Sequence, residues 1–200
     1  MHEEPLIVCL DVDYRDGGAM AAGLWFRGWT SPSSLHEATR FFSNPAPYEP
    51  GAFYRRELPC LLGVLERGPD PDIVVVDGYV ELTDGEPGLG AHLHKAIARP
   101  VIGVAKTRFS GAAAVEIRRG DSQKPLFITA AGLSAEDAAS RITEMHGPFR
   151  IPTFLKQVDS IARSSQPSSS EEFEQEADGS LGSSPSGRSD SRWRKLAWDG

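Results

Sequence analysis

The run Asp72-Ile73-Val74-Val75-Val76-Asp77-Gly78 constrains this chain more than any other stretch. Four consecutive β-branched residues with no polar alternation predict a strand covered on both faces, each side chain contributing roughly 1.5–3 kcal/mol on burial. The run stops on a carboxylate, Asp77, which therefore stands at the rim of a core. A carboxylate there faces water, caps the next segment or is held by a metal ion. Leu6-Ile7-Val8-Cys9-Leu10 repeats the design and runs into Asp11-Val12-Asp13. Two core strands ending on acids predict an acidic cluster at one end of a sheet.

The remaining elements follow in order. The first strand, Leu6 to Asp13, turns at Tyr14-Arg15-Asp16-Gly17-Gly18 into a second over Ala19 to Trp29, with a third over His36 to Ser43, an antiparallel meander. Leucines 58, 61, 62 and 65 recur at helical spacing, so a helix is expected from about Ala52 to Arg67. Pro59 should kink it or divide it into two short helices. A helix over Gly88 to Ala98, a buried strand over Val101 to Ala105, and paired strands over Ala114 to Arg119 and Pro125 to Thr129 come next. A helix over Ser134 to Met145 opens on a Ser N-cap with acids in its first turn. No element is assigned from His146 to Arg163. Strands first, then strands alternating with helices, predict an α/β layer fold with a mixed sheet.

The 200 residues suit one domain over 1–163 and an appendage over 164–200, where Ser, Gly, Pro and Glu dominate and disorder is expected. The basic, Trp-containing end of that tail, Arg192 to Trp198, is either solvated or a docking segment. The tail holds seven acidic and four basic residues, leaving −4 of the net charge of −7 on residues 1–163. That balance excludes binding nucleic acid by bulk charge; such contact has to rest on local patches or on metal. Cys9 and Cys60 sit in apolar surroundings and are read as reduced core residues. With no leader pattern and no apolar run of membrane-spanning length, a cytoplasmic monomer with no membrane partner is expected.

Asp11, Glu57 and Asp77 at element ends, with Lys106 after a third strand, suit a metal-dependent phosphodiesterase. Mg²⁺ takes a few carboxylate oxygens and keeps several waters, and a lysine adds positive charge at a phosphate. Solvated or capping acids are the alternative reading of the same spacing.

The wording of the sequence resembles the endonuclease V family. The likeness runs through Asp11; Tyr48-Glu49-Pro50-Gly51 followed by Arg56-Glu57; Asp77-Gly78; Gly88-Leu89-Gly90-Ala91-His92; Ile102-Gly103-Val104-Ala105-Lys106; Lys124-Pro125; and Arg150-Ile151-Pro152. The resemblance implies a ribonuclease H-like mixed sheet flanked by helices. It implies Mg²⁺-dependent cleavage, with Mn²⁺ as a substitute, of DNA or RNA on the 3′ side of a deaminated base, inosine, leaving 3′-hydroxyl and 5′-phosphate ends. Asp11 and Asp77 would be the main metal ligands, with Glu57 reaching the ion through water and Asp159 near the metal. Lys106 would contact the scissile phosphate. Tyr48, beside Pro50, would belong to a wedge filling the gap left by the swung-out base, and Gly51 and Gly78 would let backbone approach that base. His92 either packs its helix or lines the substrate site. Asp13 shares a strand face with Asp11, and Arg55, Arg56, Arg108, Arg118 and Arg119 are candidates for a phosphate-facing patch.

In the loop Tyr79 to Pro87, the acids Glu81, Asp84 and Glu86 stand where the family has a basic stretch. That motivates two alternatives: a non-cleaving nucleic-acid-binding protein that keeps the fold, and a nuclease of the same fold with another structured substrate.

Overall fold

The computed structural model describes residues 3–47, 49 and 52–167. Three strands open the chain, β1 (Leu6–Arg15), β2 (Gly18–Arg27) and β3 (His36–Phe42), followed by α1 (Phe53–Leu65), β4 (Ile73–Asp77), α2 (Leu89–Ile97) and β5 (Val101–Ala105). Two short strands, β6 (Val115–Ile117) and β7 (Leu126–Ala131), then lead into α3 (Ala135–Glu144) and α4 (Thr153–Ser164). One mixed sheet takes the order β3-β2-β1-β4-β5-β7-β6. The β1–β2–β3 meander and the β6–β7 pair are antiparallel, as expected, and β4 runs parallel to both β1 and β5.

The apolar runs end up where a doubly covered sheet needs them. Along β1 the residues alternate between two cores: Leu6, Val8 and Leu10 face α1 and α2, while Ile7 and Cys9 face α3 and α4. The same alternation along β4 sends Val74 and Val76 one way and Ile73 and Val75 the other. Both cysteines are free and buried, and burial pushes the Cys60 thiol up to about 12, so neither is poised for reaction.

Two expectations need correction. Pro59 does not divide its segment: α1 is one helix of 13 residues with Pro59 inside it, on the exposed side. There, water can satisfy the carbonyl that the missing N–H leaves behind. The segment left without an element forms α4. Phe154, Leu155, Val158 and Ala162 line its buried face, and Phe154 stacks on Phe26 of β2 with ring centroids 4.3 Å apart. Arg15, at the end of β1, then closes the C-terminus of α4 by donating to the carbonyls of Ala162, Arg163 (3.3 Å) and Ser165 (2.8 Å). Residues 168–200, most of the expected tail, lie outside the described residues. Among the described residues no helix is long and apolar enough to cross a membrane.

Candidate active site

Strand alternation assembles the site. In the parallel ladder Leu10 pairs with Val76, so Asp11 and Asp77 come next, on neighbouring strands about 4.8 Å apart and on the α4 side. Lys106 follows β5 and falls on the same face as Ile102 and Val104. The three side chains line one small cavity with Leu10, Val104, Ile151, Leu155 and Val158. Lys106 Nζ donates to Asp77 Oδ2.

Two glycines allow the strand ends to approach. A Cβ at Gly103 would lie 2.5 Å from the Gly78 carbonyl oxygen and 2.7 Å from Thr129 Oγ1. Gly78 adopts φ +143°, which side chains rarely allow, and open space lies where its Cβ would be, as close approach of backbone to a ligand requires.

Glu57 reaches the site from the other side of the sheet. It is buried at 7% exposure on α1, among the core that includes Cys60 and Leu61, and its Oε2 has no hydrogen-bond partner among the described residues. Burial, then the charges of Asp11 and Asp77, push its carboxyl up to about 8, with Arg56 partly offsetting them. Burial, then Asp77 and Asp159, raise Asp11 to about 6. Asp159, on α4, pairs with Arg163 at 3.0 Å and borders a second, wider cleft.

These acids crowd one another's negative charge, and a divalent cation would relieve that repulsion. Among the described residues no three His, Cys, Asp or Glu side chains converge tightly enough to cage an ion alone. Mg²⁺ does not need a cage: one or two carboxylates, waters and a substrate phosphate suffice. The all-oxygen donor set and the orphaned Glu57 Oε2 fit such an ion.

A family model described as Endonuclease V matches residues 1–133. The chain belongs to the endonuclease V family. It is 30% identical over 173 residues to the Endonuclease V of Streptomyces coelicolor, a match covering 76% of this chain and 73% of that one. The crystal structure of the Streptomyces avermitilis Endonuclease V superposes with a TM-score of 0.68 at 23% identity, covering 89% of this chain and 87% of the other. A Ciona intestinalis Endonuclease V in complex with a 23mer DNA containing an inosine followed by a ribo-adenosine superposes with a TM-score of 0.67 at 18% identity, covering 80% and 84%. The fold is therefore ribonuclease H-like α/β, and as an endonuclease V the chain is an enzyme that hydrolyses phosphodiester bonds.

Of the other expected site residues, Tyr48, Pro50 and Gly51 lie outside the described residues. His92 lies flat on Tyr54 of α1, ring centroids 3.5 Å apart, and burial lowers its pKa. Asp13 pairs with Arg15 at 3.1 Å. Four of the five arginines offered for a phosphate-facing patch have partners within the chain. Arg119 is 6% exposed and donates to backbone carbonyls, Arg55 pairs with Glu49, Arg108 pairs with Glu116, and Arg56 lies 3.6 Å above the Tyr14 ring.

Sequence reasoning missed the task of Arg150. Its Nη2 donates to the carbonyls of Lys106 (2.6 Å) and Pro125 (2.7 Å), which fixes the backbone that carries the Lys106 side chain. The acidic loop is also built rather than loose. Tyr79 Oη donates to Thr107 O and accepts from Phe109 N, both at 2.9 Å, Thr83 Oγ1 donates to Ser110 O at 2.9 Å, and Val80 is fully buried against α2.

Proposed function

We propose that this chain is a Mg²⁺-dependent endonuclease that hydrolyses a phosphodiester on the 3′ side of a deaminated base, inosine, in DNA or RNA, in repair or processing of nucleic acid. The carrying observation is the convergence of Asp11, Asp77 and Lys106 on one face at the ends of three adjacent strands. The inosine-containing DNA bound by the Ciona family member supports the choice of lesion.

Asp11 and Asp77 would hold the ion, with Glu57 and Asp159 placed to reach it through water. When bound, Mg²⁺ neutralises phosphate charge and makes nearby water more acidic. The chain's own residues do the rest. Lys106, its backbone fixed by Arg150, presents an ammonium to the phosphate. Gly78 leaves room for backbone to approach the displaced base, and Tyr48, with Pro50 and Gly51, fills the gap it leaves. His92 supports that side by stacking on Tyr54. Water attacks phosphorus and releases a proton to solvent, the bond to O3′ breaks, and the departing O3′ takes a proton from solvent.

The decisive experiment incubates the chain and Mg²⁺ with end-labelled single- and double-stranded DNA and RNA carrying one inosine, beside Asp77→Ala. A nick on the 3′ side of inosine that the variant loses supports the proposal. Binding without a nick in Mg²⁺ or Mn²⁺ overturns it and favours the non-cleaving reading, for which exposed Glu81 and Glu86 in the loop after Asp77 are the motive. Cutting indifferent to inosine would instead indicate a different structured substrate.

A further inference from the structure

Beside the small cavity at Lys106 lies a cleft of about 600 Å³ lined by Phe149, Arg150, Leu155, Lys156, Asp121 and Asp159, among others. Lys106, Ile151 and Leu155 line both spaces, so the two adjoin. The sheet lies between this cleft, lined in part by α4, and His92, which packs on Tyr54 of α1 on the other side. A strand that passes from the His92 side over Lys106 runs on toward the cleft.

The cleft wall is built to display an aromatic ring. Phe149 is 67% exposed, yet its turn is wrapped around the buried Arg119 guanidinium. Arg119 donates to the carbonyls of Thr143 (3.3 Å), Met145, Gly147 (3.2 Å), Phe149 (2.8 Å) and Arg150 (3.4 Å). Gly120, at φ +57°, lets the Pro148 carbonyl approach so closely that a Cβ would lie 2.2 Å from it. The carbonyls that Arg119 holds fix the backbone carrying Phe149, so the exposed ring is displayed from a braced turn, as a stacking platform needs. The Lys156 ammonium stands 5.8 Å from the centre of that ring. An exposed aromatic ring with an ammonium over it offers a stacking surface for a base and a charge for its phosphate. Of the two carboxylates in the lining, Asp121 matches an amino group on a base edge, while Asp159 pairs with Arg163.

We propose that this cleft takes a nucleotide on the 3′ side of the scissile phosphate, its base stacked on Phe149 and its phosphate facing Lys156. This rests on the nuclease reading above and deepens it.

The test places a photoreactive 5-iodouracil base at successive single positions 5′ and 3′ of the inosine in otherwise identical strands. The strands are bound to the full chain carrying Asp77→Asn, irradiated, and the crosslinked peptide is sequenced. A crosslink to Phe149 from a 3′ position, lost in Phe149→Ala and kept in Phe149→Trp, is expected. Phe149→Ala should also weaken binding of that strand about 5- to 100-fold, the range for losing one stacked base. Because Phe149 is exposed, the substitution leaves the core intact. Crosslinks from the 3′ side that map away from Phe149, with affinity unchanged in Phe149→Ala, overturn the cleft proposal even when the wild-type chain nicks the inosine strand. A strand that the wild-type chain neither binds nor nicks overturns both readings.

Discussion

Replacing Glu57 by Gln should stabilise the ion-free protein at alkaline pH. The carboxyl is 7% exposed, its Oε2 has no partner among the described residues, and burial with the charges of Asp11 and Asp77 raises it from 4.5 to about 8. Between those two values the unfolded chain has released a proton that the folded chain keeps, so stability falls as pH rises through the window. At about 1.36 kcal/mol per pH unit the loss is bounded near 5 kcal/mol, and water penetration brings it to about 2–5 kcal/mol. Gln keeps the shape and cannot ionise. Urea unfolding in EDTA at pH 5, 7 and 8.5 measures the effect. The wild-type chain should lose stability toward pH 8.5, and the gap between it and Glu57→Gln should change by about 2–5 kcal/mol across the series. Two curves that stay parallel to within about 0.5 kcal/mol would refute a buried, crowded Glu57.

Three further outcomes follow from the same geometry. Asp11 is raised to about 6 by burial, Asp77 and Asp159, and ligands must be ionised to bind metal. Mg²⁺ affinity, read by thermal shift, should therefore climb from pH 5 to 8 and lose much of that climb in Asp11→Asn; a flat wild-type profile would contradict this. Phe154→Ala removes a ring that is 2% exposed and stacked on Phe26, so it should cost about 3–5 kcal/mol in chemical unfolding and loosen α4. A loss below about 1 kcal/mol would mean that α4 is not docked as described. Gly103→Ala places a Cβ 2.5 Å from the carbonyl of Gly78, directly after Asp77, and should slow single-turnover cleavage by about 100-fold through displaced ligands; an unchanged rate would show that the strand ends tolerate the shift.

Much of this was legible from residues alone, and for a physical reason. Runs such as Leu6–Leu10 and Ile73–Val76 can only be strands inside a covered sheet, and the period of two then places Asp11, Asp77 and Lys106 on one face. The helix α4 carried an equally readable signal in Phe154, Leu155, Val158 and Ala162, but its N-cap, Pro152, makes no side-chain hydrogen bond of the kind Ser134 makes at the start of α3. Arginine was the least legible residue. A sequence gives its charge and not what it faces, and the carbonyls held by Arg119 and Arg150 come from distant segments brought in by the fold. Pro59 misled because its effect on a helix depends on whether solvent can reach the broken hydrogen bond, which only packing decides. The charges of Asp11 and Asp77 act on Glu57, yet its approach from the opposite face depends on how α1 lies across the sheet.

The most direct measurement is the single-turnover rate at which one inosine-containing strand is nicked in Mg²⁺ by the wild-type chain, Asp11→Asn, Asp77→Asn and Lys106→Met, all checked for unchanged folding. If Asp11, Asp77 and Lys106 form one catalytic cluster, the wild-type chain nicks on the 3′ side of inosine and each substitution lowers the rate by about 100-fold or more. Variants that cleave at the wild-type rate would contradict that cluster, whatever the fold resembles.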